Sequence, residues 1–561
     1  MILAQVCAPQ DGCSTTEHKS AFLRFVTMAS QLFVCALLLL VWVQGGVLAQ
    51  GGRRLLTDSC DGGLNRPPTP PSFGGTAQGP SSSQDVYMVP YTAGSGIFTK
   101  AIISVGDSAL NNYTMVGIPD GLGAYDNGNG TMTVVMNHEL SAGKGIIRAH
   151  GSNGAFVSKW IIQKNDFSVL YGEDLIKQVY SWDRNSKTYL DPSASPPVQF
   201  NRFCSATLAP ESNFYNPSSG KGFKDLIFFN GEEDGFTGRA FAHIVTGPFA
   251  GTSYELPYMG QAGWENVSPH TVLNGPNGDK TIVIGTDDGG HNRVFVYVGD
   301  KKASGNPVEK AGLTGGKLYV IYVEGLEDEV NQGANLTVHS TMAFKAVLLG
   351  DGDLSGTSGT GPQIQANFLP ANNVAPLAFN NTKFNRPEDG AWDPKIDSDF
   401  YFITTASFSS LGQHTRLWRL RFNDPTLQTS LEGTIEILIN GPDGSSTAGP
   451  KMLDNIAVTK RGEFILQEDP GSNPHIARMW RYNRKTDVLD IIAQHNPAFF
   501  SPPTPVKTID EESSGVINVD KILGRGWYLF DVQSHNTLPD PLVQDGQLLA
   551  LYVPTGDSEC A

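Results

Sequence analysis

The chain has 561 residues, with 62 Gly and 35 Pro scattered along it and only 17% charged residues. That composition disfavours long periodic helices and suits a large all-β chain, which can run long as a single domain. The formal charge of −16 excludes nucleic acid as a partner, since phosphate-backbone binding needs a basic surface, and it fits a protein that gathers carboxylates around cations.

Residues 1–49 read as a signal peptide or a signal anchor. An uncharged apolar run at 32–43 is followed by the small-residue exit Val47-Leu48-Ala49, too short for a comfortable membrane span. Secretion is the expected outcome, with an uncleaved membrane anchor as the alternative. Residues 50–85 form a Pro/Ser/Gly-rich linker, with Pro67-Pro68-Thr69-Pro70-Pro71 and Ser81-Ser82-Ser83, a composition that cannot bury enough apolar surface to fold alone. Of the six cysteines, Cys7, Cys13 and Cys35 lie in the leader. Cys60 and Cys560 stand at opposite ends, where an oxidising compartment would favour pairing. Cys204 is left alone in mid-chain, either a buried small hydrophobe or a metal-binding or reactive thiolate. Sequons at Asn112, Asn129, Asn266, Asn335 and Asn380 or Asn381 are compatible with glycosylated surface loops.

From residue 86 to 561 short apolar runs recur between turn signals. They fall at 131–136, 225–229, 281–284, 294–298, 317–322, 400–404, 417–422, 463–466 and 548–553. Rich in Val, Ile, Phe and Tyr and bounded by Gly, Asp, Asn or Pro, they have the pattern of antiparallel strands. Asp126-Asn127-Gly128-Asn129-Gly130 and Lys460-Arg461-Gly462 read as hairpin turns. The spacing is uneven and no fixed repeat emerges. The expected architecture is an all-β, six-bladed β-propeller, in which radial packing leaves only short edges, with irregular and short helical insertions, among them 156–169 and 172–182.

Acidic clusters stand at the ends of these runs: Asn137-His138-Glu139, Glu232-Glu233-Asp234-Gly235, Asp287-Asp288-Gly289 and Glu468-Asp469-Pro470-Gly471. Each alone is compatible with a solvated turn. Repetition at equivalent strand ends points to carboxylates converging on one face, which repulsion would forbid unless hard cations such as calcium sat among them. Asp454-Asn455 and Asp510-Glu511-Glu512 are further candidates. Arg386-Pro387-Glu388 adds a cation two residues before a carboxylate. Pro387 restrains Arg386 toward an extended backbone, where residues two apart share a side. The pair therefore reads either as a surface ion pair or as a guanidinium for an oxyanion beside a carboxylate for a metal. A thiolate at Cys204 would suit a transition metal better than calcium. No Gly-rich phosphate loop, Gly-x-Ser-x-Gly elbow or His-Glu-x-x-His helix occurs.

Taken in order, Asp120-Gly121-Leu122-Gly123-Ala124-Tyr125, Met136-Asn137-His138-Glu139, Cys204, Gly231-Glu232-Glu233, Arg386-Pro387-Glu388, Asp454-Asn455-Ile456-Ala457 and Gln467-Glu468-Asp469 resemble the landmarks of PhoX-type alkaline phosphatases, as a divergent branch of the phytase-like propeller superfamily. The resemblance covers most of the chain beyond the linker. It implies secretion, calcium and iron held by carboxylates and a cysteine, and hydrolysis of a small phosphorylated substrate, a phosphate monoester. It assigns Cys204 and Glu388 as iron ligands, Glu232 or Glu233 as metal ligands, and Arg386 as the phosphate holder, with Asp287 and Asp454 as further metal candidates. Residues 205–224 depart from the family's glycine-rich run with Thr-Pro-Trp. Arg386 and Glu388 are the expected catalytic pair, and no stable protein partner is inferred. A non-catalytic calcium-binding extracellular propeller and an esterase or phytase-like hydrolase remain the alternatives.

Overall fold

The architecture follows from strands that bury both faces. Phe228 packs into one apolar cluster and Phe229 into the next; Val283 and Ile284 divide in the same way, as do Phe464 and Ile465. Successive side chains along a strand point to opposite faces. A continuous apolar run therefore marks a sheet sandwiched between two neighbours. Six large clusters, one for each interface between adjacent sheets, close the ring.

The structure, a computed structural model, describes residues 77–555 apart from 211–212, 271–277, 352–380, 428–429, 445 and 447. The leader, most of the linker, Cys60, Cys560 and Asn380 lie outside the described residues.

Six blades radiate from six innermost strands. These are Pro119–Asp126, Phe203–Ala209, Trp264–Pro269, Pro387–Trp392, Leu453–Val458 and Glu512–Asn518, and each touches the next around the ring. Blade one continues through Thr131–His138, Phe156–Gln163 and Val169–Asp174. Blade two continues through Ile227–Glu232, Ala240–Ile244 and Thr252–Glu255, with Gln178–Tyr180 added in parallel at its outer edge. Residues 156–163, 169–174 and 178–180 are thus strands, a correction to the helical or irregular insertion expected there. Both faces of Phe156–Gln163 find apolar partners, Val157 toward blade two and Trp160 and Ile162 toward blade six.

Blades three and four are joined. Thr341–Asp351 pairs with Lys317–Val323 of blade three and with Glu432–Asn440 of blade four, making one nine-stranded sheet. Blade five receives Met88–Pro90 at its outer strand. Blade six is completed by Phe98–Ser104 paired with Gln544–Tyr552, so the N-terminal strands fasten both closing blades. Residues 77–85, placed in the linker by composition, include Ser82, which is buried and hydrogen-bonded to Ser104 at 2.9 Å. The helices are short, such as Pro307–Lys310 and Glu329–Gln332, and among the described residues none is long and apolar enough to cross a membrane. Asn266 is a further correction. It is buried and its amide donates to Asp389, so that sequon is not on a surface loop.

Candidate metal centre

Every innermost strand breaks its pairing near its N-terminal end. The irregularities fall at Gly121, Cys204-Ser205, Glu265, Glu388-Asp389, Asp454-Asn455 and Gly515-Val516. A bulge leaves its residues outside the ladder and re-aims their side chains. In five blades a carboxylate or thiol sits at or beside the bulge, so the blades deliver ligand atoms to one end of the axis. Gly121 permits the crowding: a Cβ there would meet Ala206 N at 2.5 Å and Cys204 O at 2.7 Å.

Three overlapping groups result. One ligand atom each from Asp120, Glu139 and Cys204 lies within 4.8 Å of the others, as it does for Cys204, Glu233 and Glu265, and for Glu265, Glu388 and Asp454. Cys204 and Glu265 are shared, so the groups form one continuous array. Glu139 and Glu233 enter from just beyond the second strands of blades one and two. Supporting polar groups fix the array. Asn137 donates to Cys204 O at 2.5 Å, Ser205 Oγ to Glu265 Oε1 at 2.6 Å, Asn455 to Ser205 Oγ at 2.7 Å and Gln533 to Asp120 Oδ2 at 3.1 Å.

Adjacent acids separate by direction. Glu388 joins the array, whereas Asp389 accepts from Asn266 of blade three and from Ile456 N of blade five at 3.1 Å, stitching blades together. Glu233 joins it, whereas Glu232 is held by Arg239 through Nε at 2.7 Å and Nη2 at 2.6 Å, with Asn201 N and Arg239 N also donating. Of that pair only Glu233 stands among the ligand atoms. Glu233→Gln is therefore expected to lower bound metal measured by elemental analysis, and Glu232→Gln to leave it unchanged; the opposite result would reverse this partition. Asp287 is buried and accepts from Gly263 N at 2.8 Å, outside the three groups. Its neighbour Asp288 faces the array instead.

Asp288 binds Arg386, whose Nε and Nη2 donate to its oxygens at 3.0 and 2.7 Å. Arg386 Nη2 also lies 3.3 Å from Glu388 Oε1. Arg386 and Glu388 do meet, but not through an extended backbone: Arg386 has φ 52°, a left-handed conformation uncommon for a residue with a Cβ. Thr405 N donates to the carbonyls of both Asn385 and Arg386, at 3.0 and 3.1 Å. Asn385 N donates to Glu329 at 2.8 Å, and Glu329 is itself buried against Arg416 at 2.5 Å. That buried pair fixes the turn from which Arg386 projects.

Burial dominates the electrostatics. It pushes Glu265 up to about 8 and, reinforced by neighbouring acids, raises Asp120, Glu388 and Asp454 well above the carboxylate range and Cys204 well above the thiol range. Arg386 is held firmly charged, chiefly by Glu388 and against burial. Toward blade six, burial disfavours the His535 cation, but Glu512 and Asp469 outweigh it and raise His535 to about 9. Asp454 Oδ1 and both oxygens of Asp531 are buried with no hydrogen-bond partner. Such orphans cost free energy, and a hard cation removes that cost. The donors therefore fit calcium at Glu265, Glu388 and Asp454, while the sulfur of Cys204 fits a softer transition metal.

Glu265 went unnoticed in the sequence because it stands alone between Trp264 and Asn266, outside any acidic run. Glu139 and Asp288 stand in acidic clusters that do not tell which carboxylate turns inward, Asp120 stands only among the landmarks of the resemblance, and Asp531 lies in an apolar run with no acidic neighbour. One signal could have found Glu265 and Asp120: an acid or thiol followed by a small or polar residue at the start of an apolar strand, as in Asp120-Gly121, Cys204-Ser205, Glu265-Asn266, Glu388-Asp389 and Asp454-Asn455.

At the level of sequence the chain matches no family model and no curated protein. Among solved structures it is similar to PhoX from Pseudomonas fluorescens in complex with vanadate, a transition state analogue, at 12% identity, covering 83% of this chain and 97% of that one with a TM-score of 0.56. The NanB sialidase from Streptococcus pneumoniae also matches, at 10% identity over 81% of this chain and 70% of that one, with a TM-score of 0.30, too low to carry an argument. The likeness to the PhoX structure is one of fold.

Proposed function

We propose that the protein is a secreted, metal-dependent phosphomonoesterase of the PhoX type. The observation that carries the reading is the array itself: buried carboxylates and a thiol delivered by strand bulges, beside an arginine whose side chain is 40% exposed. The solved propeller of similar fold, whose ligand is a phosphate-like oxyanion, supports it.

In this reading Glu265, Glu388 and Asp454 hold calcium, and Cys204 with Asp120, Glu139 and Glu233 holds the transition metal, iron in the family it resembles. Cations held there would offset phosphate charge and act as Lewis acids. The chain's own residues do the rest. Arg386 binds the phosphoryl oxygens with the preorganised fork that suits an oxyanion. Asp288 orients that fork, and Glu388 serves both as its counter-ion and as a cation ligand. Glu329 and Thr405 keep the turn at Arg386 in place.

The test is elemental analysis of secreted protein purified without chelators, alongside a phosphomonoester assay on the same sample. Calcium together with a transition metal is expected, with Cys204→Ala losing the transition metal and turnover while retaining calcium. Calcium alone and no turnover in the unaltered protein would replace this reading with that of a calcium-binding module.

A further inference from the structure

Arg386 has a counterpart in blade two. The innermost strand of blade two is preceded by Arg202, as that of blade four is preceded by Arg386. Both residues are left-handed, with φ 43° and 52°, and in each case the array residue follows two positions later, Cys204 or Glu388. Both guanidiniums turn the same edge to carboxylates. Arg202 donates through Nε to Glu139 at 2.9 Å and through Nη2 to Glu233 at 2.5 Å, as Arg386 does to Asp288. Both side chains remain reachable from solvent, at 43% and 40% exposure. Among the described residues no hydrogen bond uses Nη1 of either.

We propose that Arg202 is a second oxyanion clamp, acting with Arg386 on the phosphate group of the substrate. The proposal rests on the phosphomonoesterase reading and adds a residue to it. Blades two and four flank blade three, so the two guanidiniums stand on either side of the blade that carries Glu265. Each is braced by carboxylates on its Nε edge, leaving its other edge to meet an oxyanion in a fixed orientation. The backbone of Arg202 is fixed on both sides, its N–H donating to Leu140 O at 3.1 Å and its carbonyl accepting from Glu233 N at 2.9 Å. A strained, over-determined conformation at a polar site is where function concentrates.

Blade five supplies the control. Met452 occupies the same position before Leu453-Asp454, with φ 43°. The conformation therefore does not depend on arginine, and Arg202→Met places in blade two a residue already accepted in blade five.

The experiment is calorimetric titration of calcium-loaded protein with inorganic phosphate, and of chelated protein with calcium, for the unaltered chain and for Arg202→Met, Arg202→Lys and Arg386→Met. Arg202→Met is expected to weaken phosphate about tenfold or more, the worth of a lost bidentate charge-assisted contact, while leaving calcium affinity unchanged, because its carboxylate partners Glu139 and Glu233 are not among the calcium group of Glu265, Glu388 and Asp454. Arg202→Lys should recover part of the phosphate affinity. Unchanged phosphate affinity in Arg202→Met beside a loss in Arg386→Met would overturn the clamp and leave the proposed function standing. Parallel loss of calcium, phosphate and melting temperature would reduce Arg202 to a strut and overturn it too. No phosphate binding by the unaltered protein would overturn both.

Discussion

Glu388→Gln is expected to lower kcat/KM for a phosphate monoester by about a thousandfold or more, with the fold intact. The substitution keeps the volume and removes the charge. It withdraws a ligand from the group with Glu265 and Asp454 and the strongest of the carboxylate influences on Arg386. Both losses strike the same ion pair and the same cation, so they should appear in kcat and in calcium affinity together. Stability should move the other way. Glu388 is 1% exposed and its pKa is raised by burial, then by Asp288, against the pull of Arg386, so in chelated protein its removal takes away repulsion rather than a bond. Chelated Glu388→Gln should therefore melt at or above the unaltered protein, and calcium should raise its melting temperature less. Full turnover in this variant would sink the assignment; a chelated variant that fails to fold would show that Glu388 is a structural acid.

The fold was legible because blade strands bury both faces. Runs such as 281–284 and 463–466 announce a strand without saying which face is which, since both are apolar. The same property hid the repeat. Inner strands such as Thr131–His138 and Trp264–Pro269 are buried throughout and do not alternate, and among the described residues the joining strand Thr341–Asp351 falls between blades three and four without a counterpart elsewhere. The site was half legible. Arg386-Pro387-Glu388 and Cys204 stood out by residue type, and both belong to the array or touch it. Which member of an acidic pair faces inward could not be read, because a bulge shifts the two-residue period of a strand. That is the case at Glu388-Asp389, whereas Glu233 and Asp288 turn in from just beyond the second strands of blades two and three, whose last residues Glu232 and Asp287 pair elsewhere. The backbone at Arg386 was misread for a related reason. Proline restrains the residue before it by local sterics, but Thr405 and Glu329 act on that turn from other segments.

Chelation should make the stability of the protein fall as pH rises, and calcium should remove that fall. Burial holds Glu265 up to about 8 and Asp389 and Asp469 up to about 7, against about 4 for such acids in an unfolded chain. Between those values the folded chain binds more protons than the unfolded one, so the slope of unfolding free energy with pH is negative. The contribution is fully present below about pH 4 and is lost as pH climbs through 7 to 8. Calcium needs the deprotonated ligands and binds harder as pH rises, replacing the protons that alkali removes. The melting temperatures of chelated and calcium-loaded protein should therefore lie close together near pH 5 and separate by about 10 °C or more near pH 8.5. Asp389 titrates without being one of the grouped ligands, since its oxygens accept from Asn266, Gly390 N and Ile456 N, so a shallow fall should survive in the loaded protein. Parallel curves across the whole range would mean that the buried acids never exchange protons for a cation, and the metal centre would have to be abandoned along with the activity built on it.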